Sequence, residues 1–374
     1  MNKKLKVLHV VGGMNVGGTE TMLMNLYREV NKKVQFDFIS YYNEEAYYDE
    51  EIKKLGGKII KLDSPSKVGQ IKAIKNLYNL IKNEQYEVVH THTLFNCGSA
   101  VLAAKLGGAK IIISHAHTNL DLGTSRVKKI YFFIMRSLIN RFSTDFMACS
   151  DSAGRYLFGE GITNNKKYKV LPNYVNYKSI LRCNDTNSIK EELGFNKEDI
   201  IVGHIGRFVE AKNHKFLIKV LNEMIKENRS IKAVLVGDGP LREDIENQIK
   251  KLGLEENIKL LYLRNDIDVI LNNCDLFIFP STYEGLGLVM LEAQSAGLPC
   301  LVSEAIQPEA DLNVGLLKQI NLDMGAKVWK NEALKLIGKK NKNKQTIELA
   351  FKYKGLDLDS IVNNLLKAYK IDMN

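Results

Sequence analysis

The chain of 374 residues predicts an α/β protein built from two doubly wound parallel sheets. Three observations carry this. Short β-rich apolar runs alternate with helical periodicity from residue 6 to residue 172. The same alternation begins again at residue 200 and runs to residue 302. A polar stretch, residues 173–187, separates the two series. This length suits two domains with a core each, and an apolar content of 45% is that of a globular protein.

In the first series, residues 6–11 form the opening strand, followed by a Gly-rich turn and a helix over 19–30. Residues 34–39, 58–62, 87–90, 110–113 and 145–148 continue the strands with helical segments between them, and 169–172 closes the set. The second series places strands at 200–205, 233–236, 259–262, 276–279 and 300–302, each running into a Gly- or Pro-containing turn and a helix. The run Leu276-Phe277-Ile278-Phe279, stopped by Pro280, reads as a parallel strand buried on both faces. Residues 356–369 form a last helix with Leu358, Ile361, Val362, Leu365 and Leu366 on one face. In such sheets ligands meet the loops at the strand C-termini.

Five cysteines, Cys97, Cys149, Cys183, Cys274 and Cys300, are odd in number and scattered singly, several in apolar runs. They read as reduced, buried thiols of a cytoplasmic protein, with no Cys-x-x-Cys. The basic N-terminus passes through a short apolar stretch into glycines, without the pattern of a signal peptide, and no run has the length of a transmembrane helix. A net charge of +10 asks for an anionic partner. Helix-turn-helix, RNP and zinc patterns are missing, so no nucleic-acid partner is expected. Nucleotide donors explain part of the charge, and the inner-leaflet membrane surface explains more. Residues 125–136 mix Arg126, Lys128, Lys129 and Arg136 with Ile130, Phe132, Phe133 and Ile134, as an interfacial helix does. Residues 66–82 are a second candidate. Helices that cover a sheet and carry solvated lysines are the alternative for both segments, and the favoured reading for 66–82.

The segment 281–293 holds the densest chemistry. Glu284 and Glu292 stand eight residues apart across a strand end, the loop Gly285-Leu286-Gly287-Leu288 and the start of a helix. The glycines let the backbone approach a ligand, and a helix start offers N–H groups to a phosphate. Glu284 then lies beside whatever hangs from that phosphate, and Glu292, two turns into the helix, is placed to accept from a ribose-like diol. Phosphate, sugar and ribose together describe a nucleotide-sugar site. Ahead of it, Gly12, Gly13, Gly17 and Gly18 line the turn after the first strand, but not as G-x-G-x-x-G. Asp37 sits inside a strand rather than at its end, so a nicotinamide enzyme is disfavoured. His90-Thr91-His92 and His115-Ala116-His117 each follow a strand. Histidines two apart share a face only while the chain stays extended, and no further ligand follows at metal spacing, so no metal site is expected there. Arg264-Asn265-Asp266-Ile267-Asp268 contains a D-x-D, but Asp266 reads as a helix N-cap, and so does Asp357 in Asp357-Leu358-Asp359.

With these motifs the chain resembles the retaining glycosyltransferases of the GT-B fold, the "glycosyl transferases group 1" family, over essentially its whole length and most firmly from 203 to 303. The resemblance implies two Rossmann-like domains facing a central cleft. Residues 1–177 form the acceptor side, joined by a helix in 353–374 that crosses back, and 178–352 bind the donor. It implies catalytic roles for His117, Glu284, Arg207 and Lys212. Arg207 and Lys212 are similar to the family's basic pair for the donor pyrophosphate, which makes a divalent cation unnecessary. The histidine of the second pair belongs to the catalytic centre. The strand-to-loop step favours His117 over His115, with His115 the open alternative. Donor contacts extend to Gly17, Gly18, Gly237, Arg264 (whose backbone lies near the base), Gly285, Leu286, Gly287, Leu288 and Glu292. Tyr174 occupies a position where the family usually has Gly, Tyr262 is the position nearest a Gly common before Arg264, and residues 306–309 also depart from its usual run.

The expected activity is retaining transfer of a hexose without metal or cofactor, from a UDP-sugar first and GDP-mannose second. The expected acceptor is a lipid-linked sugar or saccharide, in capsule or exopolysaccharide biosynthesis at the cytoplasmic membrane face. Two alternatives share the donor site: a nucleotide-sugar epimerase or hydrolase, and a non-catalytic nucleotide-sugar-binding partner.

Overall fold

The computed structural model describes residues 4–118, 125–172, 174–185, 188–341 and 343–371. Residues 1–3 of the basic N-terminus and positions 173 and 187, the ends of the polar stretch, lie outside them. The chain divides into two compact units, Met1–Tyr174 with Leu356–Asn374, and Val175–Gly355.

In the first unit seven strands form one parallel sheet: β1 (Leu5–Gly12), β2 (Val34–Ser40), β3 (Ile59–Lys61), β4 (Val88–Thr91), β5 (Ile111–Ala116), β6 (Asp145–Ala148) and β7 (Tyr168–Val170). Their order is β3-β2-β1-β4-β5-β6-β7, so the winding reverses between β1 and β4. Successive side chains point to opposite faces. Val7 and Val88 join Phe36, Phe38, Leu23 and Leu26 in one core cluster. Leu8, Val10 and Val89 join Leu77, Ile81 and Val101 in the other. The first cluster also takes Ile361, Leu365 and Leu366 from the helix Leu358–Ala368, whose apolar face is the expected one. Asp357 caps that helix, its carboxylate accepting from Ser360 N at 3.1 Å.

Local departures have local causes. The helix expected at 66–82 is two, Pro65–Val68 and Gln70–Glu84, because Gly69 between them takes φ +83°. Leu77 and Ile81 of the second are buried under the sheet, so this segment covers a core. β5 extends to Ala116, three residues past expectation, which places His115 on the strand.

The second unit holds a parallel sheet of β8 (Ile200–Ile205), β9 (Ile231–Val236), β10 (Ile258–Tyr262), β11 (Leu276–Phe279), β12 (Cys300–Val302) and β13 (Leu317–Gln319). The order is β10-β9-β8-β11-β12-β13, with the reversal between β8 and β11. β13 has no apolar run to announce it, since it is a short edge strand with Lys318 and Gln319 exposed. Trp329 of the helix Gly325–Leu336 and Leu217, Leu221 and Met224 of the helix His214–Glu227 pack with Val202, Ala233 and Leu235. None of the five cysteines is disulfide-bonded; four are buried and Cys183 is half-buried. Among the described residues no helix is long and apolar enough to cross a membrane.

Candidate functional site

The reversal between β8 and β11 decides which loops of the second unit meet. Backbone bonds stitch them together: Gly206 N donates to Val236 O at 2.9 Å, Phe208 N to Asp238 O at 3.0 Å, and Gly237 N to Tyr262 O at 2.8 Å. Gly237 is required by its φ of +145° and by Gly206 O, which would stand 2.1 Å from any Cβ. Thr282 N donates to Ala211 O at 2.8 Å and so ties the loop after β11 to the turn Glu210–Lys212.

Through this tie the Lys212 ammonium forms an ion pair with the Glu284 carboxylate, the side chains retaining only 20% and 10% of their exposure. The same ammonium lies 4.8 Å from the centre of the Phe279 ring. Three residues on, Gly287 (φ +79°) opens the helix Leu288–Ser295, and no side chain caps its first turn. A ligand anion is thus the natural partner for these N–H groups. Because the helix starts at Leu288, Glu292 lies one turn in, not two. Burial raises its carboxyl pKa to about 7. Arg207 is exposed and forms no ion pair among the described residues.

Arg264 behaves differently. Its guanidinium is engaged by Glu192 at 2.5 and 2.9 Å and by Asp266 at 2.8 and 2.7 Å, leaving its backbone for any ligand. Asp266 does stand at the N-cap position of the helix Ile267–Asn273, but its carboxylate makes no cap bond; the nearby guanidinium outcompetes the helix N–H groups. Asp268 accepts from Ser179 Oγ at 2.9 Å. Tyr262 carries φ +45°, with its hydroxyl 3.0 Å from Glu246 and the Arg242 guanidinium 3.8 Å over its ring.

In the first unit Gly17 is the extended N-cap of the helix Gly18–Val30, and a Cβ there would meet the Glu20 carboxylate at 2.4 Å. Asp37 is fully buried, accepting from Tyr86 Oη at 2.6 Å and from Lys58 N at 2.9 Å. It is a structural acid, as its place inside β2 implies.

The reversal between β1 and β4 sets His9 directly opposite His90. His9, a residue the sequence pairs did not include, joins both of them. Its Nδ1 is 3.1 Å from His92 Nε2, and His92 Nδ1 is 2.8 Å from His117 Nε2. His90 Nδ1 is 2.8 Å from the Tyr369 hydroxyl. The His115 ring lies 5.3 Å from that of His90 and 4.1 Å from that of His117. Desolvation lowers the pKa of all five, to about 3 for His9 and His117, so the rings are neutral at pH 7. His115 is wholly buried, whereas His117 keeps part of its surface exposed.

On the helix Arg126–Phe142 of the same unit, Val127, Ile130, Phe133 and Ile134 are 78%, 62%, 72% and 47% exposed and fall on one stripe, beside Arg126 and Lys129. Arg136 turns inward, bonding to the Tyr156 and Leu157 carbonyls at 2.7 and 3.1 Å.

The model of the family described as "Glycosyl transferases group 1" matches residues 185–353, and that of "Glycosyltransferase Family 4" matches 16–178. The putative glycosyltransferase EpsF of Bacillus subtilis (strain 168) is 35% identical over 99% of this chain and 98% of its own. An Escherichia coli enzyme named UDP-Gal:alpha-D-GlcNAc-diphosphoundecaprenol alpha-1,3-galactosyltransferase is 26% identical over 97% and 99%. The crystal structure of Anabaena HepE in complex with UDP superimposes with a TM-score of 0.78 at 19% identity, covering 98% of this chain and all of that one.

Proposed function

Since the chain belongs to the group 1 glycosyltransferases and has their GT-B fold of two Rossmann-like units, we propose that it is a retaining, metal-independent hexosyltransferase that uses a nucleotide-sugar. The observation that carries this reading is the Lys212–Glu284 ion pair beside the helix start at Gly287. A donor diphosphate on that helix start competes with Glu284 for the Lys212 ammonium. The freed carboxylate then accepts from hydroxyls of the transferred sugar. Lys212 and Arg207 stabilise the charge that gathers on the departing diphosphate, the work a divalent cation would otherwise do. Glu292, once ionised, accepts from the ribose diol. Gly17, Gly18, Gly237, the Arg264 backbone and residues 285–288 complete the donor contacts. His117 serves the catalytic centre as a hydrogen-bonding group to the sugar.

A UDP-sugar is the first donor and GDP-mannose the second. The E. coli relative's name carries UDP-Gal and a diphosphoundecaprenol acceptor, which supports a UDP donor and a lipid-linked saccharide acceptor here. Similarity to a Staphylococcus aureus protein named capsular polysaccharide biosynthesis glycosyltransferase CapH, 28% identical over 90% of this chain and 92% of its own, supports a place in capsule or exopolysaccharide assembly at the cytoplasmic membrane face. The exposed apolar and basic stripe of the helix Arg126–Phe142 is suited to that surface.

The test is to incubate the purified protein and EDTA with a panel of UDP- and GDP-sugars, with and without membrane lipid extract, and to measure free nucleoside diphosphate. Release from one donor that rises with extract is the expected result. Epimerised donor, or tight binding without turnover, would overturn the transferase reading.

A further inference from the structure

We propose that His9, His90 and His92 form a site for one late first-row divalent cation of the zinc class, held inside the first unit. One ring nitrogen of each lies within 4.8 Å of the other two. The His9 Nδ1 to His92 Nε2 distance of 3.1 Å is close to the ~3.3 Å between two imidazoles on a tetrahedral zinc, given Zn–N bonds of about 2.0–2.1 Å. All three side chains are buried, and sheet register, not a flexible loop, presents His9 to His90.

The outer contacts of two of the three ligands fit a metal site, while His9 Nε2 is buried without a hydrogen-bond partner. A ligating imidazole commonly gives its second nitrogen to a fixed partner. His90 Nδ1 has the Tyr369 hydroxyl, and His92 Nδ1 has His117 Nε2. What remains for an ion is His90 Nε2, which is buried without a hydrogen-bond partner. Leaving such a nitrogen bare is unfavourable, and a cation removes that cost. The ligands are three neutral imidazoles with no carboxylate, a set that selects zinc, nickel, cobalt or copper over magnesium and calcium.

Two consequences follow for this fold. Tyr369, just past the last helix, becomes the outer partner of a ligand, so the ion ties that helix to the sheet. His92, donating from Nδ1, makes His117 Nε2 an acceptor and leaves the His117 proton on Nδ1. The cation thus sets a tautomer and takes no part in the diphosphate chemistry of the second unit.

The test uses the untagged full-length protein dialysed against zinc and analysed for bound metal, with no donor present, so that its outcome is independent of the transferase reading. About one equivalent is expected, with less than about a tenth left in His9→Asn and His90→Asn. His204→Asn, in the second unit and no member of the cluster, should retain it. Tyr369→Phe keeps all three ligands and should weaken zinc binding about tenfold, which covers the case in which a ligand variant does not fold. Cobalt loading should give the visible bands of a tetrahedral site. Less than a tenth of an equivalent in the unaltered protein would overturn the proposal. So would full retention in His9→Asn and His90→Asn, or loss in His115→Asn with retention in His9→Asn.

Discussion

Lys212 and Glu284, 72 residues apart in the chain, share a largely buried ion pair at the point where the second sheet reverses its winding. Neither partner can leave without exposing the other to a poorly solvated site. Lys212→Met should therefore destabilise the protein by about 1–3 kcal/mol. Glu284→Gln should cost less, because an amide can still accept from the ammonium. In urea unfolding the double variant should lose less than the sum of the singles, with a coupling of about 1 kcal/mol or more. Strict additivity would mean that the pair does not exist in solution.

Arg207 offers the opposite case, exposed and without an ion-pair partner among the described residues. Arg207→Ala should leave unfolding stability within about 0.5 kcal/mol. Donor turnover should nevertheless fall by about 10²–10³-fold, the usual loss when a group that stabilises developing charge is removed. Unchanged turnover would remove Arg207 from the site.

Glu292 predicts a pH dependence. Its folded pKa, raised to about 7, means that the protonated form is favoured in the free protein below pH 7. Stability from this group is complete below the unfolded value near 4.5 and is lost as pH rises through 7. Acceptance from a ribose diol needs the carboxylate, so nucleotide affinity should rise with pH up to about 7 and release a proton on binding. Calorimetry in two buffers of different ionisation enthalpy at pH 6 reads that proton directly. Glu292→Gln should abolish both the release and the slope.

The stripe on the helix Arg126–Phe142 predicts vesicle binding. The double variant Ile130→Ser/Phe133→Ser removes two exposed apolar side chains, each worth about 1.5–3 kcal/mol if fully buried in lipid. Partial insertion makes a loss of about tenfold in affinity for anionic vesicles the expected result, with diphosphate release from soluble donor unchanged. Equal binding by the variant would free this face from the membrane.

Much of this molecule was legible along the chain. The strand series, the last helix with its buried face, and the Gly loop between β11 and the helix after it all follow from local patterns, since buried strands and amphipathic helices write their period into neighbouring residues. The place of Asp37 inside a strand spoke against a ribose-binding acid, and its buried bond from Tyr86 agrees. Where local reading went astray the cause was also local: a glycine at φ +83° split one helix, an edge strand lacked an apolar run, and Asp266 found a guanidinium closer than its helix.

What the sequence determined by itself was the two parallel sheets and the residue types at their strand ends. Only the tertiary structure decided which of those ends lie together. Strand order appears in no local period, and here it sets β1 beside β4 and β8 beside β11. The first adjacency brings His9 to two histidines more than 80 residues away, and the second brings Lys212 to Glu284. A winding reversal leaves the loops on either side of it diverging, so the side chains that meet there come from distant parts of the chain.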